Sequence, residues 1–326
     1  MLGDPRFAAT RINLAQSCNG IGWIFGPIAG SVFFYSVDSA GRSTGSQSLW
    51  IPYAGIAGVV VVLAIIFYFA NVPDIKAEDE YHIDDAAAPV AHSIWAHPHF
   101  VMAVAAQFLY VAAQAGIFSF FINYMTAETP PIPAGWQSAV DGLAANAGLL
   151  SDWLKGWFVT AQTGAVALSN KGASNLASIG FVLFLTGRFS GALILKRYPA
   201  HAVLGVYGAT NAALALLVFA KFGWVSVGCV FLSYFFMSIM FPTIFALGIF
   251  GLGGRAKRAS SFIVMAIMGG AILPKLMDYV ADRYDMSRGF IVPAACFAFV
   301  AVYGFNWPRL SRAELLHARP ADVAGR

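Results

Sequence analysis

Two apolar stretches carry amides at helical spacing. Along the third apolar run, Gln107, Tyr110, Gln114, Phe118 and Phe121 fall within about 80° of arc when the run is wound as a helix. In the first run, Asn13, Gln16 and Ser17 share a side with Gly20 and Trp23, and Asn19 stands at its edge. Amides exchange paired hydrogen bonds with hydroxyls, and aromatic rings cover the apolar C–H faces of a sugar. Both stripes therefore suit a neutral polyol. They suit interhelical packing equally, because a buried amide can also bond across to a neighbouring helix. Both readings stay open on the residues alone.

The charged residues narrow the chemistry further. Arg188, in "VLFLTGRFSGALILKRY", is the one cation well inside an apolar run. It either snorkels toward an interface or pairs with a carboxylate or carbonyl inside the bundle. No Asp or Glu lies deep in any run; Asp278 stands at an outer end. No nucleophile–base set is visible, so an enzyme is not expected. No metal site and no cofactor are expected either. His82, His92, His97 and His99 share a segment with carboxylates, but their spacing fits no zinc pattern. The cysteines Cys18, Cys229 and Cys296 all lie inside apolar runs and read as small core residues.

These side chains need a membrane to stand in. Of the 326 residues, 59% are hydrophobic and 11% charged, with 28 Phe, against about 25% charged in a soluble domain. Mean hydropathy is +0.68. The chain reads as an all-α, polytopic membrane protein in contact with the lipid bilayer. The net charge of +4 fits basic loops rather than a nucleic-acid partner. Eight runs are long enough to span as helices: about Ile12–Val37, Leu49–Val72, Phe100–Tyr124, Asn175–Leu195, Ala202–Phe222, Trp224–Phe250, Ser260–Tyr279 and Phe290–Trp307. Eight spans put both ends on one side. That side holds twelve Lys and Arg against seven on the other, which places both termini in the cytoplasm of a bacterial-type inner membrane.

Two connections are long. Residues 73–99, with "KAEDEYHIDD", read as a solvated cytoplasmic linker. Residues 125–174 form an external insert. There Trp136, Val140, Leu143, Leu150, Trp153, Leu154, Trp157 and Phe158 share one broad helical face, which predicts an amphipathic interfacial helix anchored by Trp. It is either a lid over an external mouth or a passive surface insert. A weak internal repeat relates the first and seventh runs. Arg11 precedes Pro27, and Arg258 precedes Pro274, by sixteen residues each, with Gly20 and Gly22, and Gly269 and Gly270, lying between. Pro27, Pro274, Gly269 and Gly270 are accordingly the expected structural or gating positions, together with Arg188. The spacing is that of two parallel six-helix halves. Residues 1–72 would then be the last two helices of a first half, 100–307 a complete second half, and 308–326 a cytoplasmic tail.

Several motifs resemble the fucose–proton symporter family of the major facilitator superfamily, the branch that carries fucose, galactose, glucose and N-acetylhexosamine. "RINLAQSCNGIG" is similar to the start of that family's fifth helix and "AQFLYVAAQAG" to its seventh. "GRFSGALIL" resembles the eighth, and "FMSIMFPTIFALGI" with "SSFIVMAIMGGAI" the tenth and eleventh. The resemblance implies a major facilitator bundle and proton symport of a neutral monosaccharide, L-fucose first. It places Gln16 and Asn19 in a polar fifth helix, Gln107, Tyr110 and Gln114 in the seventh and Arg188 in the eighth. It also implies that the family's coupling and substrate-binding carboxylates lie in first and fourth helices ahead of this sequence, leaving it a truncated carrier inactive alone. The competing expectation is a non-transporting remnant or scaffold derived from such a carrier.

Overall fold

The computed structural model describes residues 8–35, 50–69, 93–146, 151–160 and 165–312. The helices are α1 (Ala8–Phe33), α2 (Trp50–Phe69), α3 (Pro98–Glu128), α4 (Ala134–Asn146), α5 (Ser151–Leu154), α6 (Asn170–Ile194), α7 (Ala200–Phe219), α8 (Trp224–Met237), α9 (Met240–Ile249), α10 (Ala256–Met265), α11 (Gly269–Arg283) and α12 (Ile291–Leu310). Strands β1 (Phe158–Thr160) and β2 (Val166–Leu168) pair antiparallel between α5 and α6.

Seven helical stretches among the described residues are long and apolar enough to cross a membrane. They are α2, α3, α6, α7, the α8–α9 pair as Trp224–Ile249, Gly253–Arg283 and Arg288–Leu310. α1 supplies an eighth helix, whose apolar part is Gly22–Phe33. The chain is a multi-pass helical membrane protein, and each expected run overlaps one of these helices. Lipid offers the backbone no hydrogen bonds, so a continuous apolar run has few alternatives to a helix.

The core lies where α3, α6, α7, α8, α9 and α12 converge. α7 packs along α12 because glycines face each other there: a Cβ on Gly208 would meet the Ala301 backbone, and one on Gly304 the backbone of Gly205. α1 docks on α6. Ser174 donates to the Pro27 carbonyl (2.8 Å) and Ser178 to that of Ile24 (2.9 Å). These bonds come at the turn where Pro27 supplies no N–H to the helix. α2, by contrast, has no buried residue.

Three expectations need correction. The insert is not one helix. It divides into α4, α5 and the β1–β2 hairpin, and Phe158 lies on a strand; Leu150 lies outside the described residues. The spans on either side run further than expected, α3 to Glu128 and α6 from Asn170, so the insert is shorter than 125–174. His99 is not a solvated linker residue. It is fully buried in α3, with Nε2 3.0 Å from the Phe250 carbonyl oxygen. Of the two repeat-related spans, α1 continues through Pro27, and the seventh passes a 3₁₀ turn at Ala266–Met268 before α11 resumes with Pro274 inside it. Cys229 and Cys296 are buried free thiols, as expected of core residues.

Candidate functional site

The third-span stripe is the spine of the site, and α3 holds it rigidly. Gln107, Tyr110 and Phe121 are fully buried; Gln114 and Phe118 are half-buried. The Tyr110 hydroxyl donates to the Met237 carbonyl at the end of α8 (2.9 Å). That bond fixes α3 against the α8–α9 break at Ser238–Ile239. One turn earlier, the Gln107 amide is different. Its nitrogen and its oxygen are both buried, and neither has a hydrogen-bond partner among the described residues. Burying an amide unpaired costs about 1–3 kcal/mol per group, so Gln107 is poorly explained as packing alone.

Phe118 and Phe121 belong to a wider aromatic cluster. Phe118 packs on Trp23 of α1 (5.8 Å between ring centroids), on Phe181 (4.9 Å) and Phe184 (5.8 Å) of α6, and on Tyr234 of α8 (4.8 Å). Phe121 stands edge-on to Tyr234 at 5.6 Å. The Tyr234 hydroxyl is buried with no hydrogen-bond partner among the described residues. Four helices therefore meet in one knot of rings beside unsatisfied polar atoms.

Arg188 enters the same knot. It is only 4% exposed, and its guanidinium carbon lies 4.9 Å from the Phe184 ring centroid and 5.7 Å from that of Trp23. Buried Arg188 does not snorkel, and its guanidinium stands over two aromatic faces, an interaction strengthened by burial. A glycine seam makes this possible. Gly187 and Gly191 have the small-xxx-small spacing that lets membrane helices approach. A Cβ on Gly187 would meet the Phe235 carbonyl oxygen, one on Gly191 the Ile239 side chain, and one on Gly180 the Tyr234 ring at 3.1 Å. The seam presses α6 onto α8 and so brings Arg188 and Tyr234 to the knot.

Of the polar stripe on α1, the side chains of Asn13, Gln16 and Asn19 lie outside the described residues, whereas Trp23 is placed. Gly269 and Gly270 bring α11 onto α3. A Cβ on Gly269 would meet the Phe108 carbonyl oxygen, and one on Gly270 would come within 3.2 Å of Ala115. Sequence reasoning missed Phe181, Phe184 and Tyr234. No metal-holding group of His, Cys, Asp or Glu occurs among the described residues.

Where α3 ends and α8 begins, α4 and the hairpin border a half-open cavity of about 360 Å³. Its lining comes from Met125, Thr129, Ile132, Trp136, Ala139, Val140, Trp157, Phe158, Leu168, Leu176, Trp224, Val227 and Phe231.

No family model matches the chain. Among curated proteins, it is 28% identical over 305 residues to a glucose/galactose transporter of Brucella abortus, covering 93% of this chain and 65% of that protein. It is 29% identical over 321 residues to the L-fucose–proton symporter of Escherichia coli K12, again covering 93% and 65%. Among solved structures, it matches the major facilitator superfamily transporter FucP in its outward conformation. That match has a TM-score of 0.66 and 28% identity, over 94% of this chain and 70% of that one. The chain therefore has the major facilitator fold, and its homologues are sugar transporters rather than enzymes. It spans 65% of the length of the two curated relatives just described.

Proposed function

We propose that this chain is a carrier for a neutral monosaccharide, L-fucose first, with galactose, glucose or an N-acetylhexosamine as the alternatives. The binding wall is Gln107, Tyr110, Gln114, Phe118 and Phe121 of α3, completed by Trp23, Tyr234 and the Arg188 guanidinium. The observation that carries the reading is the Gln107 amide, fully buried and unpaired among the described residues. Sugar hydroxyls supply both the donor and the acceptor that such an amide lacks, and the rings accept the C–H faces. The names of the relatives support the substrate class, and that of the Escherichia coli symporter supports proton coupling. Asn13, Gln16 and Asn19 join the candidate substrate-binding residues on the resemblance of the first run to a polar fifth helix.

The division into halves follows the same reading. Residues 1–72 contribute two helices of one half, and 100–307 the other, with α1 on α6 as the seam between them. Both termini lie in the cytoplasm of an inner membrane, supported by the Lys and Arg bias. Among the described residues no carboxylate is buried. Titration of the purified chain in lipid nanodiscs with L-fucose, D-galactose and D-glucose tests the reading. Saturable binding of at least one supports it, and binding of none refutes it.

A further inference from the structure

We propose that the cavity under the insert holds one acyl chain of a bilayer lipid. Its size, about 360 Å³, falls in the roughly 300–1,000 Å³ range of ligand pockets, but its chemistry excludes a sugar. The lining hydroxyl, on Thr129, is turned to the Met125 sulfur (3.8 Å), and the Trp157 indole N–H donates to the Trp153 carbonyl (2.7 Å). Polar ligand groups would be buried there against apolar walls at a cost.

Depth identifies the occupant. The floor is built from membrane-spanning helices, with Met125 from α3 and Phe231 from α8. The rim is the Trp136–Trp224 pair, with ring centroids 5.3 Å apart. These rings remain 54% and 40% exposed although they line the cavity, and Leu143, 62% exposed, extends the apolar surface along α4. Tryptophan pairs of this kind sit at the boundary between acyl chains and headgroups. At that depth the abundant apolar molecule is the lipid itself. The cavity floor adjoins the aromatic knot, because the Phe231 ring on the floor is 5.5 Å from that of Phe121. The inference rests on the membrane placement of α3 and α8 and is independent of the sugar reading.

The test uses the full chain in phosphatidylcholine nanodiscs doped with a phosphatidylcholine carrying a diazirine midway along one acyl chain. After irradiation, peptide mass spectrometry locates the adducts. They should concentrate on Trp136, Val140, Phe158 and Phe231 relative to the exposed, lipid-facing α2. Val140→Phe fills the cavity from α4 and Val227→Phe from α8. Each should lower those adducts by about fivefold or more, because an overfilled cavity cannot readmit the chain, with α2 labelling unchanged. Adducts no denser there than on α2, adducts indifferent to both substitutions, or crosslinks between two protein copies at these residues would each overturn the proposal. Should both variants misfold, the wild-type adduct map alone decides.

Discussion

Gln107 and Tyr110 stand one turn apart on α3 and make opposite contributions to stability. The Tyr110 hydroxyl is paired with the Met237 carbonyl, whereas the Gln107 amide is not paired among the described residues. Tyr110→Phe removes the donor and strands a buried carbonyl, so unfolding free energy should fall by about 1–3 kcal/mol. Gln107→Leu replaces an unpaired amide by an apolar group of similar size. It should leave thermal stability unchanged or raised while weakening sugar binding by the net value of a hydrogen bond, about 0.5–1.5 kcal/mol. If instead Gln107→Leu destabilises the protein and spares affinity, Gln107 is a packing residue. Arg188→Lys probes the cation over Phe184 and Trp23. Lysine keeps the charge but loses the planar face that stacks on rings, so binding should weaken with little change in expression.

Among the elements, the spans were legible and the contacts between them were not. Runs such as Phe100–Tyr124 and Ala202–Phe222 announce helices because lipid leaves a long apolar segment no other way to satisfy its backbone. The same uniformity hides which side of a helix faces protein. Tyr234, Phe181 and Phe184 sit among neighbours as apolar as themselves, so no period marks them as inward-facing. The third-span stripe was readable because its amides interrupt an apolar background. The hairpin at Phe158–Leu168 was missed because three-residue strands carry almost no pattern, and the Trp spacing there imitates a helix. The α6 seam depends on partners about fifty residues away, which local sequence does not show. Its consequence can be measured. Gly187→Ala drives a methyl into the Phe235 carbonyl oxygen and should cost about 1–3 kcal/mol. Gly228→Ala, with nothing within 4 Å of the new methyl, should be neutral or slightly stabilising. Equal losses for the two would show that the seam is not tight.

Across the whole molecule, the ends of three spans are tied by one ion. Lys221 reaches Glu128 at the end of α3 (3.2 Å) and Asp285 after α11 (3.0 Å), from a turn where its own φ is +60°. Partial burial pushes the Asp285 carboxyl up, but the Arg288 backbone N–H and the Lys221 ammonium outweigh it and hold the carboxyl below its ordinary 3.8. Burial likewise opposes the Lys221 charge, yet its bonds to Asp285 and Glu128 leave its pKa raised above 10.5. Asp285 thus contributes stability above its ordinary pKa that is lost as pH falls through the depressed value. Lys221 contributes below 10.5 and loses it as pH rises through the raised one. Lys221→Met should therefore shrink the loss of thermal stability on acidification below pH 4, followed by unfolding in nanodiscs; an unchanged acid profile would show that the triad is idle. These ties, the glycine seams and the aromatic knot all serve one claim, that α1, α3, α6 and α8 converge on a sugar. Calorimetric titration of L-fucose, D-galactose and D-glucose into nanodisc-embedded wild type and Gln107→Leu tests it most directly. The account predicts saturable binding of at least one sugar to the wild type and an affinity lowered by about twofold to twelvefold in a variant that unfolds no earlier. Binding of no sugar, or equal affinity in the two proteins, would contradict it.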